Sequence, residues 1–164
     1  MVSKLPEFLL VCESLSTADN SVGRWHFRLE TSSGQLMLEA DDSEVGEPQR
    51  LALLAVVRGL ESLDGPSRVT LITANRYVLQ GMRRSLASWR DNDFRWEHYG
   101  RMLPVAHADL WRRIDRTLSI HQVQACWVSA ACLSMGPIVA AEPAATPMSA
   151  ARWLTRRGMQ TAAA

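Results

Sequence analysis

The sequence predicts an α/β fold in which one five-stranded mixed sheet carries helices packed on it. Three observations give that class. Three strand patterns open the chain, a long apolar helical run follows them, and two further strand segments are each set between helical stretches. The resulting order is βββ-α-β-α-α-β-α, without an internal repeat.

Phe8 to Cys12 is a short apolar run, Arg24 to Glu30 alternates apolar and polar residues, and Gln35 to Glu39 does so again after Ser32-Ser33-Gly34. Turn-forming residues between them make an antiparallel meander, with strands expected near 6–14, 23–31 and 34–40. A helix over 48–63 starts at Pro48, suited to the first helical position, and stops at Asp64-Gly65-Pro66. Its run LALLAVV is apolar on nearly every face, which places it in the core. Residues 68–73 are β-branched and apolar, a fourth strand.

From Asn75 to Arg90 the positions Val78, Met82, Leu86 and Trp89 keep helical spacing, and Gly81 is where the segment can divide into two short helices. Arg76, Arg83 and Arg90 recur every seven residues and align only on a continuous helix. The stretch RDNDFRWEHYGRMLP reads as a loop, followed by a helix over 109–118 with Leu110, Ile114 and Leu118 inward, and a last strand over 123–128. Residues 1–139 then form the domain, 140–148 an Ala/Pro linker, 149–160 an amphipathic helix of the same domain, and 161–164 a frayed tail. Trp111 and Trp127 read as core, with Met37 and Met82 filling gaps in it.

At 164 residues, 47% apolar and 21% charged, the composition is that of one globular domain. A net charge of +1 argues against wholesale polyanion binding. The charge is uneven, however. Residues 1–75 hold six Lys/Arg against eleven Asp/Glu, whereas 76–113 hold eight against four, an asymmetry that suits nucleic-acid contact in the middle of the chain. Cys12, Cys126 and Cys132 have no paired spacing and read as reduced thiols. His26, His98, His107 and His121 are scattered, without a nucleophile at recognisable spacing, and read as structural or exposed. The start MVSKLPEFLLVC has too short an apolar run for a signal peptide, and no segment has the length of a membrane span. A soluble, cytoplasmic protein with no membrane partner is expected.

The blocks RLALLAVVRGLESL (50–63), VTLITANRYVLQGM (69–82), Trp89-Arg90 and HADLWRRIDRTLSIHQVQACWV (107–128) resemble the ribonuclease H family, the bacterial type I enzymes in particular. The resemblance implies a ribonuclease H-like fold and cleavage of the RNA strand of an RNA–DNA hybrid by paired Mg²⁺ ions. The family holds those ions with carboxylates on the first strand, in the first turn of the central helix, at the end of the fourth strand and at the start of the last helix. Adjacent dications repel each other unless several carboxylates converge between them.

Against that pattern this chain is depleted. The family's Thr-Asp-Ser before Tyr-Val is here Thr73-Ala74-Asn75-Arg76-Tyr77-Val78, and its Arg-x-Glu is Arg50-Leu51-Ala52. Its Asp-Gly-Ser compares with Cys12-Glu13-Ser14; the simplest register puts Cys12 at the Asp, and a one-residue slip offers Glu13. The last ligand falls within SAACLSMGPIVAAEPAATPMSAAR, which has no His or Asp and only Glu142. Among Asp41, Asp42, Glu44 and Glu47, which precede the central helix, Glu47 is the substitute nearest the site, with Glu13 the other. Arg76, Arg83, Arg84, Arg90 and Arg95, interleaved with Trp89 and Trp96, resemble the basic protrusion with which the family holds the hybrid's DNA strand.

The family's Asn-Asn pair before the helix arginine is Pro48-Gln49 here, and its lysine-rich stretch is reduced to Arg101 and His107. The expectation is therefore a catalytically degenerate ribonuclease H-like protein that needs no metal or cofactor and binds nucleic acid, an RNA–DNA hybrid included, or a protein partner. The alternative is an active Mg²⁺-dependent ribonuclease H with displaced ligands.

Overall fold

A computed structural model describes residues 4–16 and 22–134. Its five-stranded sheet is mixed, an antiparallel meander extended by two parallel strands. Strands β1 (Glu7–Ser16), β2 (Gly23–Thr31) and β3 (Leu36–Glu44) form the antiparallel meander. After α1 (Pro48–Glu61), β4 (Arg68–Thr73) returns parallel to β1. The expected mixed sheet is present. The linker, helix and tail expected over 140–164 lie outside the described residues.

The apolar run of α1 is buried throughout from Leu51 to Val57, and the helix covers β1 and β2. Contact is close because Gly59 has no side chain: a Cβ there would stand 2.5 Å from Leu10 Cδ1. Leu10 thus marks the sheet face turned to α1, and strand alternation puts Cys12 on that face and Val11 and Glu13 on the other. The core between sheet and helices includes Trp25, Phe27, Leu29, Leu71, Trp111 and Ile114.

Past β4, the helical run continues as α2 (Arg76–Gln80), a π-helical turn (Gly81–Ser85) and α3 (Leu86–Asp91). Asn75 starts it, its side-chain oxygen accepting from the Val78 N–H at 3.1 Å. Gly81 does not divide the segment, as it could have done; it widens one turn, and the Trp111 ring lies against the bare backbone.

The stretch read as a loop contains a hairpin, β5 (Arg95–His98) and β6 (Arg101–Pro104). Tyr99 (φ 48°) and Gly100 (φ 75°) both take the left-handed conformation that a two-residue turn of this kind demands. Tyr is a poor residue for that place, so the pair gave only half the usual signal. Finally α4 (Ala108–Leu118) leads to β7 (Gln122–Trp127), which pairs parallel with β4, and α5 (Ala130–Ser134) follows.

Two expected core residues are surface residues. Trp127 is 42% exposed and Met37 53% exposed, because β7 and β3 are the edge strands and their outer positions lack a neighbour. Strand β3 also runs on through Asp41, Asp42 and Glu44, beyond the expected limit, with Arg24 pairing with Asp41 across the ladder.

Candidate nucleic-acid interface

Cys12 stands in the middle of β1, beside Thr73 at the end of β4, and faces α1. Its residue is 2% exposed, within the same core cluster as Ala52 of the first turns of α1. Burial, with the neighbouring Glu13 adding to it, pushes the Cys12 thiol well above its ordinary pKa, so the group stays a neutral thiol. Ala74, just past β4, packs with Val11, Ile72 and Val128, and its carbonyl accepts from the Trp127 indole N–H at 3.3 Å.

Glu13 is carried to the opposite face of the sheet. There its carboxylate lies 3.6 Å from His26 Nδ1, while His26 Nε2 stands 2.8 Å from Glu39 and the buried Arg28 donates to the buried Glu30 at 2.6 Å. Glu47 caps α1 with its backbone only; its side chain is exposed and lies 3.7 Å from His107 Nε2. Among the described residues no three His, Cys, Asp or Glu side chains converge on a place where a metal ion could be held. The thiol and methyl groups of Cys12, Ala52 and Ala74 do not fit a pair of Mg²⁺ ions, which require clustered oxygen donors.

The seven cationic and aromatic residues singled out from the sequence occupy three different places. Arg76 lies over the Trp127 ring, 4.8 Å from its centroid, and Arg83 Nη2 donates to the Ala125 carbonyl of β7 at 2.5 Å. Arg90 turns the other way and its Nε donates to Asp115 of α4 at 2.7 Å. The π-helical turn explains the split: one widened turn breaks the seven-residue alignment that a regular helix would have kept. Arg84 is exposed, without an ion pair among the described residues. Trp89 is half-buried, its ring 5.1 Å from that of Trp111 in an edge-on contact.

Arg95 and Trp96 lie on the hairpin. Its base is pinned by two buried residues, Phe94 and Val105, joined by the Val105 N–H donating to the Phe94 carbonyl at 2.8 Å. Arg112 of α4 covers the Phe94 ring and donates to the Asp93 carbonyl. Every residue of the two strands is exposed. Trp96 packs on His98 with centroids 4.8 Å apart, and His98 on Tyr99 at 4.5 Å. His98 and Tyr99 were not among the residues expected from sequence; the turn-forming Gly100, with apolar residues opposite each other on both sides, was the available signal.

The molecule shares this architecture with known proteins. The RNase H family profile matches residues 14–132. Ribonuclease H of Ruegeria pomeroyi is 29% identical over 128 residues, spanning 76% of this chain and 81% of that protein. Ribonuclease H of Halorhodospira halophila is 40% identical over 87 residues, 51% of this chain and 56% of its own length. Among solved structures, LC9-RNase H1, a type 1 RNase H with the type 2 active-site motif, superposes with a TM-score of 0.64 at 20% identity, covering 79% of this chain and 66% of that one. The foamy viral protease-reverse transcriptase in complex with RNA/DNA hybrid superposes at 0.59 with 16% identity, covering 76% of this chain and 17% of that one. With its meander, its central helix and a profile match across most of its length, the chain belongs to the ribonuclease H family.

Proposed function

We propose that this protein is a non-catalytic member of its family, which binds nucleic acid through exposed arginines of α2, the π-helical turn and the β5–β6 hairpin and does not cut it. The observation that carries the reading is Cys12: on the strand position that the simplest register matches to the family's metal-binding Asp, a thiol is packed against α1 beside Ala52, and burial keeps it uncharged. Ala74 supports it, since a methyl group in the turn after β4 has no lone pair to offer. Glu13 and Glu47 are poor replacements. One faces the far side of the sheet towards His26, and the other lies exposed beside His107.

Phosphate contact falls to the exposed cations. Arg84 and Arg95 are exposed and without ion pairs among the described residues, and Arg76 is held on the Trp127 ring with its guanidinium accessible. Contacts of this kind neutralise phosphates without reading base edges, so affinity is sequence-independent and falls with salt. The partner that fits is an RNA–DNA hybrid or another nucleic acid. The test is a pair of measurements on the purified protein. A labelled hybrid stays intact with millimolar Mg²⁺ or Mn²⁺, and its fluorescence anisotropy rises with protein at low salt. Metal-dependent cleavage that is lost in Glu13→Gln or Glu47→Gln would establish the active enzyme instead.

A further inference from the structure

We propose that the aromatic residues of the β5–β6 hairpin form a stacking platform for unpaired bases, so that the protein engages nucleic acid at single-stranded ends or junctions. The inference rests on the nucleic-acid reading above and specifies which part of the nucleic acid is held.

Cross-strand partners share a face. Trp96 is opposite Leu103 and His98 opposite Arg101, so these four lie together, whereas Glu97, the one acid of the two strands, is opposite Met102 on the reverse face. Trp96, His98 and Tyr99 follow one another towards the tip with their ring planes inclined at 54° and 75°, and Arg101 stands in the same row. The face therefore offers π surface and positive charge and no carboxylate. That pairing suits a single strand, whose bases stack on rings while phosphates meet the cation. A continuous duplex does not present base faces, since they are covered by the neighbouring pairs.

The tip is built at a cost that packing does not explain. Tyr99 holds a left-handed backbone, φ 48°, where Asn or Gly would be unstrained, and its side chain is 93% exposed. Asp93 and Phe94 at the hairpin's base are also left-handed, at φ 52° and 56°. Strain gathered in one short segment, with a large ring left in water, marks a surface kept for contact. The buried Phe94 and Val105 hold the base in place, so the rings are presented on a fixed mount.

The test compares binding by fluorescence anisotropy at low salt for three labelled ligands: a blunt RNA–DNA hybrid, the same hybrid with a single-stranded DNA extension, and the single strand alone. The parent is set beside Trp96→Thr/Tyr99→Asn, in which Thr suits a strand and Asn suits the left-handed turn; unchanged thermal unfolding confirms that the variant is folded. The parent is expected to bind the extended hybrid more tightly than the blunt one. The variant loses about fivefold or more per ring on the extended hybrid and the single strand, so that the preference for an extension disappears. Equal binding of blunt and extended hybrids by the parent, or a preference that survives in the variant, overturns the platform while leaving the nucleic-acid reading intact. Failure of all three ligands to bind overturns both, and self-association lost in the variant by sedimentation would then assign the rings to a protein contact.

Discussion

Gly81→Ala separates what the sequence suggests from what the packing dictates, because the two give opposite signs. A glycine inside a helical segment costs about 1 kcal/mol relative to alanine, so on propensity alone the substitution stabilises. In the structure a Cβ at this position would stand 2.2 Å from Trp111 Cη2 and 2.4 Å from Cζ2, well inside van der Waals contact. The ring has little freedom to move. Trp111 is fully buried, its indole N–H donates to Tyr77 Oη at 2.9 Å, and it makes edge-on ring contacts with Trp89 and Tyr77. Overpacking of a filled core costs about 1–3 kcal/mol, and two contacts this short place the cost at the upper end. After the helical gain is subtracted, the net loss is about 1–2 kcal/mol, or roughly 3–8 °C in Tm for a domain of this size. Urea unfolding followed by circular dichroism should give a lower midpoint with an unchanged slope. An equal or higher midpoint would mean that the close approach of Trp111 to the π-helical turn is not present in solution.

Four further outcomes follow from named contacts. Cys12→Asp should destabilise by roughly 3 kcal/mol, because it puts a carboxylate without a cation into the core, and millimolar Mg²⁺ should not restore the melting temperature. Arg84→Ala should lower the salt slope of hybrid binding by about one, whereas Arg83→Ala, which removes a hydrogen bond to the Ala125 carbonyl, should cost about 1 kcal/mol of stability instead. Asp109 and Glu61 are held below the ordinary carboxylate range by hydrogen bonds from Arg50 and Arg113, so their contribution is present above about pH 4.5 and lost as pH falls through the lower folded values. Both pairs are largely solvated, so the stability from urea unfolding at pH 7 and 3 should differ by about 0.5 kcal/mol per pair, a difference that shrinks in Arg50→Gln. Burial pushes the His121 imidazole down, so the unfolded chain takes up a proton first, and midpoints should begin to fall below about pH 6.5 in the parent but not in His121→Gln.

How much of this was legible in the sequence depended on whether local pattern and tertiary environment agreed. The central helix was legible because LALLAVV is apolar all round, and burial of every residue from Leu51 to Val57 is the consequence. Strands β2 and β4 were found to the residue, although in β2 the polar positions of the alternation, His26, Arg28 and Glu30, are buried as well. Edge position is not a local property, however, and so Trp127 and Met37, apolar residues on edge strands, were read as core and are half in water. The hairpin was missed because its turn uses Tyr99 where the usual signal is Asn or Asp, and its strands are only four residues long. The arginine spacing was correct as a spacing. Its geometric meaning changed because a π-helical turn, which leaves no mark in hydrophobic periodicity, lies between Arg76 and Arg90.

The two halves of the candidate site also differ in how they can change. On the proposed reading the ligand positions of β1 and α1 have been absorbed into the core: Cys12 and Ala52 belong to one apolar cluster with Leu10 and Leu51, and α1 approaches so closely that Gly59 touches Leu10. A carboxylate restored there would be desolvated before it met a metal ion, so on the proposed reading the route back to catalysis runs uphill in stability at its first step. The hairpin is under the opposite constraint. Its strands contribute nothing to the core beyond the two residues at their base, so rings and charges at Arg95, Trp96, His98 and Tyr99 can be exchanged with little effect on folding. On the proposed reading, binding preference is thus free to vary in the hairpin while the sheet and central helix stay fixed.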